Sequence, residues 1–181
     1  MAAPTLRRLA WMGAAAVAAA AVFTLALHGS RPESGLARFE AAGVMVHIKP
    51  ERVREVEVAA GDRRWRFARA ATGGWTAIGS PLPSRDWASL IDTGLHFLSV
   101  SSPQRVMTRE EVAGASPSEF GLAPPRYAVW VRASDAQLFV VEFGSSNAQG
   151  IGQYARVAGR PELFLLPRFV GEQWEKATGL Q

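Results

Sequence analysis

Cysteine is absent from this chain of 181 residues. That excludes disulfides, Cys-ligated zinc, iron–sulfur clusters, a thiol nucleophile and a lipid-modified N-terminal Cys. Histidine occurs only at 28, 47 and 96, too sparsely for a His-rich metal site. Lysine occurs only at 49 and 176, so arginine carries almost all the positive charge. No G-x-S-x-G elbow surrounds any serine, and no Gly-rich loop leads into a Lys-Ser/Thr helix start. The length excludes a barrel enzyme and a two-domain dehydrogenase. Hydrophobic residues at 48% and charged residues at 20% exclude a disordered polymer.

What is present begins with an uncharged run. From Leu9 to Leu27 there are 19 residues without a charge, preceded by Arg7 and Arg8. As a helix this run spans about 28 Å, close to the thickness of a bilayer's hydrocarbon core. The flanking arginines keep the N-terminus cytoplasmic. All 16 acidic residues follow His28, on the far side. A cleaved export signal also begins with positive charge, but its apolar region is usually shorter. Both readings export the remainder. The sequence therefore divides into an N-terminal anchor or signal at 1–28, a linker at 29–46 and an extracytoplasmic domain at 47–181. A short strand at Val44-Met45-Val46 closes the linker. Without Arg7 and Arg8 the balance is 18 cations against 16 anions. The densest basic run, Arg63, Arg64, Arg66 and Arg69, stands beside Glu55, Glu57 and Asp62, so it reads as a paired strand face and not a nucleic-acid site.

The exported part reads as α+β. Glu55-Val56-Glu57-Val58 and Arg64-Trp65-Arg66-Phe67 alternate, with Gly61-Asp62 as a two-residue turn. That register sets Val58 opposite Trp65, Val56 opposite Phe67 and Glu57 opposite Arg66. A third strand follows at 74–78. A helix over 84–98, capped by Ser84, turns Trp87, Leu90, Ile91, Gly94, Leu95, Phe97 and Leu98 to one side. Short elements follow: a strand at 104–107, a helix start at Glu110-Glu111 and a turn at Ser116-Pro117-Ser118-Glu119 ended by Gly121. A second hairpin runs from Tyr127 to Phe143. With Ser134-Asp135 as a two-residue turn, Val131 faces Leu138 and Val129 faces Val140. Trp130 then meets Phe139 and Ala128 meets Val141 on the other side. Strands at 154–157 and 163–166 and a helix from Pro167 to Gly179 complete the chain. Its inward residues are Val170, Trp174 and Ala177.

Val56-x-Val58-x-Ala60-Gly61-Asp62 is echoed by Val129-x-Val131-x-Ala133-Ser134-Asp135, 73 residues later. The expected architecture is antiparallel sheet built from two βββα-like units with two packed helices, behind a transmembrane helix.

Candidate chemistry is thin. Asp92 and His96 share a helix face, a spacing that can seat a metal, but a solvated hydrogen bond accounts for them better. Glu110-Glu111 are adjacent, whereas acid–base pairs need carboxylates in different environments. Gly150-Ile151-Gly152 is followed by a strand and not by the helix a phosphate loop needs. The sequence thus assigns no catalytic, cofactor-binding or metal-binding residue and no cofactor. It offers one partner surface. The second hairpin is apolar on both sides, and Ala128, Trp130, Phe139 and Val141 form an aromatic patch wherever a helix does not cover them.

Phe120-Gly121-Leu122-Ala123-Pro124-Pro125-Arg126-Tyr127, followed by Ala128-Val129-Trp130-Val131, resembles a signature of the bacterial domain of unknown function numbered 4340. So does Tyr154-Ala155-Arg156-Val157-Ala158-Gly159 leading to Leu163-Phe164-Leu165-Leu166-Pro167, together with Gly74-Trp75, Pro81 and the following helix. An Asp often stands in that family where this chain has Ala123. The resemblance covers about residues 50–178. It implies a membrane anchor, an exported α+β domain, and partners among ABC-type transporter subunits of the gliding-motility kind. It carries no catalytic residue. The expected protein is a non-enzymatic, single-pass protein of the bacterial inner membrane, N-terminus inside and domain outside, that assists a transport or envelope complex. A binding module for an envelope glycan, peptide or lipid is the alternative.

Overall fold

The computed structural model describes residues 43–79 and 85–180, together with Ala19. The uncharged run at 9–27, Ser84 and residues 29–42 of the linker lie outside the described residues, Ala19 apart. Among the described residues no helix is long and apolar enough to cross a membrane.

Eight strands form one antiparallel sheet. They are β1 (Val53–Ala60), β2 (Arg63–Arg69), β3 (Trp75–Gly79), β4 (Arg105–Met107), β5 (Tyr127–Ala133), β6 (Leu138–Ser146), β7 (Gly152–Val157) and β8 (Leu163–Pro167). Their spatial order is β3-β2-β1-β5-β6-β7-β8-β4. Three α-helices accompany them among residues 43–79 and 85–180: α1 (Trp87–Val100), the single turn α2 (Arg109–Val112) and α3 (Arg168–Thr178). Three strands precede α1, but four consecutive strands precede α3, so the second unit exceeds the βββα expected of it. β4 lies at the far edge beside β8.

The first hairpin has the register its alternation dictates: Val58 opposite Trp65, Val56 opposite Phe67, Glu57 opposite Arg66. The echoed motifs meet at the seam of the sheet. Val56 pairs with Val131 and Val58 with Val129, around the pair Glu57–Trp130. The two motifs therefore bury their valines in one continuous strip.

The second hairpin departs from expectation by one residue. Val131 faces Phe139, Val129 faces Val141, Trp130 faces Val140 and Ala128 faces Glu142. The cause is the turn. Ala133 N–H donates to Gln137 O at 2.9 Å and Ala136 N–H to Ala133 O at 3.1 Å, so three residues, Ser134, Asp135 and Ala136, form the loop. Ala136 closes it with φ +62°. Loops of this length normally carry Gly or Asn at that left-handed position, and alanine gives no such signal. Ala136→Gly should therefore stabilise the protein by about 0.5–1 kcal/mol, because the Cβ penalty disappears. The check is a raised denaturation midpoint at unchanged slope.

Both long helices cover the same side of the sheet and pack against each other. Ile91, Leu95 and Leu98 of α1 and Val170, Trp174 and Ala177 of α3 join Val56, Trp65, Phe67, Tyr127, Val129, Phe143 and Phe164 in one core. Gly94 admits this contact: a Cβ there would lie 2.7 Å from the Trp174 ring. Residues 43–46, read from sequence as the end of the linker with a strand, are instead irregular backbone built into this core together with residues 47–48. Gly43 and Met45 N–H donate to the carbonyls of Ser99 and Leu98 at the end of α1, and Val44, Met45 and Ile48 are buried. Free helix carbonyls, not a neighbouring strand, take up their backbone donors.

Among the described residues the opposite side of the sheet is covered only at one end. Met107, Leu122 and Leu163 form a small second core, with Val112, Phe120, Tyr154 and Leu165 packed on it. Thr108 and Ser116 each make a capping box there, with Glu111 and Glu119, which fixes the covering segment. The β3-β2-β1-β5-β6 end has no such cover among the described residues.

Candidate functional site

Alternation decides which side chains reach the bare face. In β1, Val56 and Val58 point to the helices, so Glu55 and Glu57 point away; the same rule sends Arg64 and Arg66, Ile78, Trp130 and Arg132 outward. Strand pairing then aligns them in rows. One runs Ile78, Arg66, Glu57, Trp130, Val140. The next runs Thr76, Ala68, Glu55, Arg132, Leu138.

Ion pairs run along and beside these rows. Glu57 accepts from Arg64 at 2.7 Å and from Arg66 at 2.9 Å. Arg132 reaches Glu55 at 3.3 Å, and Arg156 reaches Glu142 at 2.6 Å. Exposed pairs of this kind contribute about 0–1 kcal/mol each, so they orient the surface more than they stabilise it. Between them lie apolar groups open to water: Ile78 is 59% exposed, Leu138 is 55% exposed, and Trp130 is half-buried. Glu55, Glu57, Arg64, Arg66, Trp130 and Leu138 bound a shallow depression of about 630 Å³.

Of the four residues named from sequence as a partner surface, the structure brings two together. Ala128 and Trp130 are on the side away from the helices, Trp130 half-buried and Ala128 buried. Phe139 and Val141 are on the helix side, Val141 fully buried and Phe139 packed against the main core. A one-residue change in register flips every side chain of a strand, and the longer turn makes that change. Arg66, Ile78, Arg132 and Leu138 complete the surface around Trp130. Only the strand order shows this, because β2, β3 and β6 are brought beside Trp130 by pairing.

Other candidates resolve structurally. Asp92 accepts from Arg69 at 2.7 Å and from Trp75 Nε1 at 2.9 Å, tying α1 to the edge strands. His96 stands against Phe97 with ring centroids 6.0 Å apart. Among the described residues no group of three or more His, Asp or Glu could hold a metal ion. Glu111 belongs to the Thr108 capping box, and the Thr108 backbone N–H, then Arg105, hold its carboxyl below the usual carboxylate range.

Sequence reasoning missed a buried polar cluster under α3. Gln153, near the start of β7, donates from Nε2 to Gly144 O at 3.0 Å and accepts from Arg168 Nη1 at 3.2 Å. Tyr127 donates to Gly171 O at 3.0 Å. Arg168 also pairs with Glu175, and Arg126 approaches the same carboxylate at 3.8 Å. Burial opposes the charge on Arg168, but the hydrogen bond and charge of Glu175 outweigh it and raise the guanidinium's pKa. The signal in the sequence was helical spacing: Glu175 adjoins Trp174 and lies four residues from Gly171, on the inward arc.

Burial first, and the Glu175 carboxylate second, push the Tyr127 phenol well above its ordinary value. A folded-state pKa above the unfolded one means that the folded protein holds the proton more tightly. The associated stability is complete below about pH 10, the unfolded value, and is lost as pH rises toward the folded one. An absorbance titration should thus show Tyr127 ionising only together with alkaline unfolding, and Tyr127→Phe should flatten the loss of stability above pH 10.

The fold and surface define a class: an α+β domain whose single antiparallel sheet is sheathed by helices on one side and left partly bare on the other. No family model matches the chain, and no curated protein and no solved structure is significantly similar to it.

Proposed function

We propose that this chain is a non-enzymatic, single-pass protein of the bacterial inner membrane, N-terminus cytoplasmic. Its exported domain serves as an accessory or scaffold component of an ABC-type transport or envelope complex. The partner is a membrane-protein subunit, and the docking surface is the bare sheet face around Trp130. The observation that carries this reading is the one-sided sheathing: both long helices lie on one side, while Trp130, Ile78 and Leu138 on the other are framed by Arg–Glu pairs. An aromatic and aliphatic centre with a charged rim is the anatomy of protein interfaces. The carboxylates of this face support a non-catalytic role, since each is engaged by a guanidinium. The anchor rests on the 9–27 run and its two arginines. The transporter partner rests on the resemblance of residues 120–131 and 154–167 to the family named above.

The depression beside Trp130 favours a second reading, a binding module for an envelope glycan or peptide, with the indole as stacking platform. One experiment separates them. A photo-crosslinking residue replaces Leu138 in the full chain, and intact membranes are irradiated. Recovery of a transporter permease subunit supports the first reading; recovery of glycan or peptide fragments alone supports the second. Crosslinking to neither removes this face from both. A phosphatase fused after Gln181 tests the topology and should be active outside the cytoplasm.

A further inference from the structure

A second apolar surface lies on the helix side of the sheet. Phe169, in the first turn of α3, is 44% exposed and meets Phe97 of α1 edge-on at 4.9 Å between centroids. Val100, three residues beyond Phe97 and so on the same helix face, is 42% exposed. Ile151, in the β6–β7 loop, is 62% exposed, and its carbonyl accepts from the N–H of Arg168, which places it beside Phe169. Four apolar side chains from three elements thus form one open patch. The tertiary structure creates it: Ile151 and Phe169 lie more than fifty residues beyond the Phe97–Val100 turn in sequence.

We propose that this patch rests on the surface of the lipid bilayer that holds the anchor. The inference depends on the anchor reading above. Its warrant is where the chain enters the domain. Gly43 N–H donates to Ser99 O at 3.2 Å, so the first described residue of the domain adjoins the residue before Val100. Only 14 residues, 29–42, separate Gly43 from His28 at the end of the uncharged run. Covalent geometry limits such a segment to about 50 Å. Within that reach the patch meets lipid at high local concentration, which turns weak apolar contact into docking. Phenylalanine and aliphatic side chains open to water are the groups that enter the headgroup–acyl boundary. The patch is on the helix side and the Trp130 face is on the other, so the membrane and a protein partner can be held together.

The absence of cysteine gives a clean test. Single cysteines at Ile151, Phe169 and, as control, Thr76 on the bare face are introduced into the full chain and labelled with an environment-sensitive fluorophore. Each protein is reconstituted into phosphatidylcholine–phosphatidylglycerol vesicles, with or without acyl-chain quenchers. Far-ultraviolet circular dichroism confirms the fold of each variant. The expected result is blue-shifted emission and strong quenching at 151 and 169, with the label at 76 unshifted and unquenched. Labels at 151 and 169 as water-exposed as the label at 76, on a chain that resists alkaline carbonate extraction, would overturn the proposal alone. Release of the chain by carbonate would overturn the anchor reading and the proposal with it.

Discussion

Trp174→Ala is expected to lower the unfolding free energy by about 3–5 kcal/mol, the range for deleting a fully buried large aromatic side chain. Trp174 is 0% exposed, and its six-membered ring covers Gly94 where α3 crosses α1. Removing it leaves a cavity at the contact between the two long helices. The neighbours cannot collapse into that space, because Ile91, Leu95 and Leu98 are pinned against the sheet. Trp174→Phe should cost much less. The indole Nε1 is buried and finds no hydrogen-bond partner among the described residues, so losing it removes an unsatisfied donor along with some packing. Urea denaturation of the three proteins at pH 7 is the measurement. Equal losses for the Ala and Phe variants would contradict this account of the helix contact.

Gly171→Ala is expected to cost about 2–4 kcal/mol, combining overpacking with the loss of buried hydrogen bonds. A Cβ at 171 would lie 1.9 Å from Gln153 Oε1 and 2.7 Å from the Tyr127 hydroxyl. Both atoms belong to the polar cluster that seats α3 on β5 and β7. They can move only by releasing Gly171 O, Gly144 O or Arg168 from their present partners. Tyr127→Phe removes one obstructing atom. The double variant should therefore lose less than the sum of the single losses, since residues in contact are coupled. Strict additivity would show that the glycine acts through backbone freedom and not through the close approach.

Much of the fold was legible because it rests on local chemistry. The Gly61-Asp62 turn set the register of β1 against β2, and the alternation of Glu55 to Val58 set its faces. Apolar spacing found α1, Pro167 and Gly179 bracketed α3, and Ser116 and Gly121 bracketed a short turn. The candidate surface was half legible. Trp130, one of the four patch residues read from sequence, lies on the bare face. Phe139 and Val141 were assigned with it because a three-residue loop closed by Ala136 looks like a two-residue one.

Other features had no local signature. Val44-Met45-Val46 looks like a strand, yet the backbone N–H groups of Gly43 and Met45 answer the free carbonyls of a helix that begins some forty residues later. Gln153 and Glu175 look like surface residues until Tyr127, Arg168 and Gly171 are folded around them.

The sequence by itself determined the α+β class, the first hairpin's register, the inward faces of both long helices and the uncharged run before the domain. These follow from nearest-neighbour chemistry: turn residues, caps and periodicity act within a few positions of the chain. Tertiary structure alone decided that β1 pairs with β5, that β4 goes to the far edge, and that both helices cover the same side. Those choices join residues tens of positions apart, and they minimise exposed apolar area over the whole domain at once. That global balance leaves Trp130 on one face, and Phe169 with Ile151 on the other side, as the apolar surfaces still open to a partner.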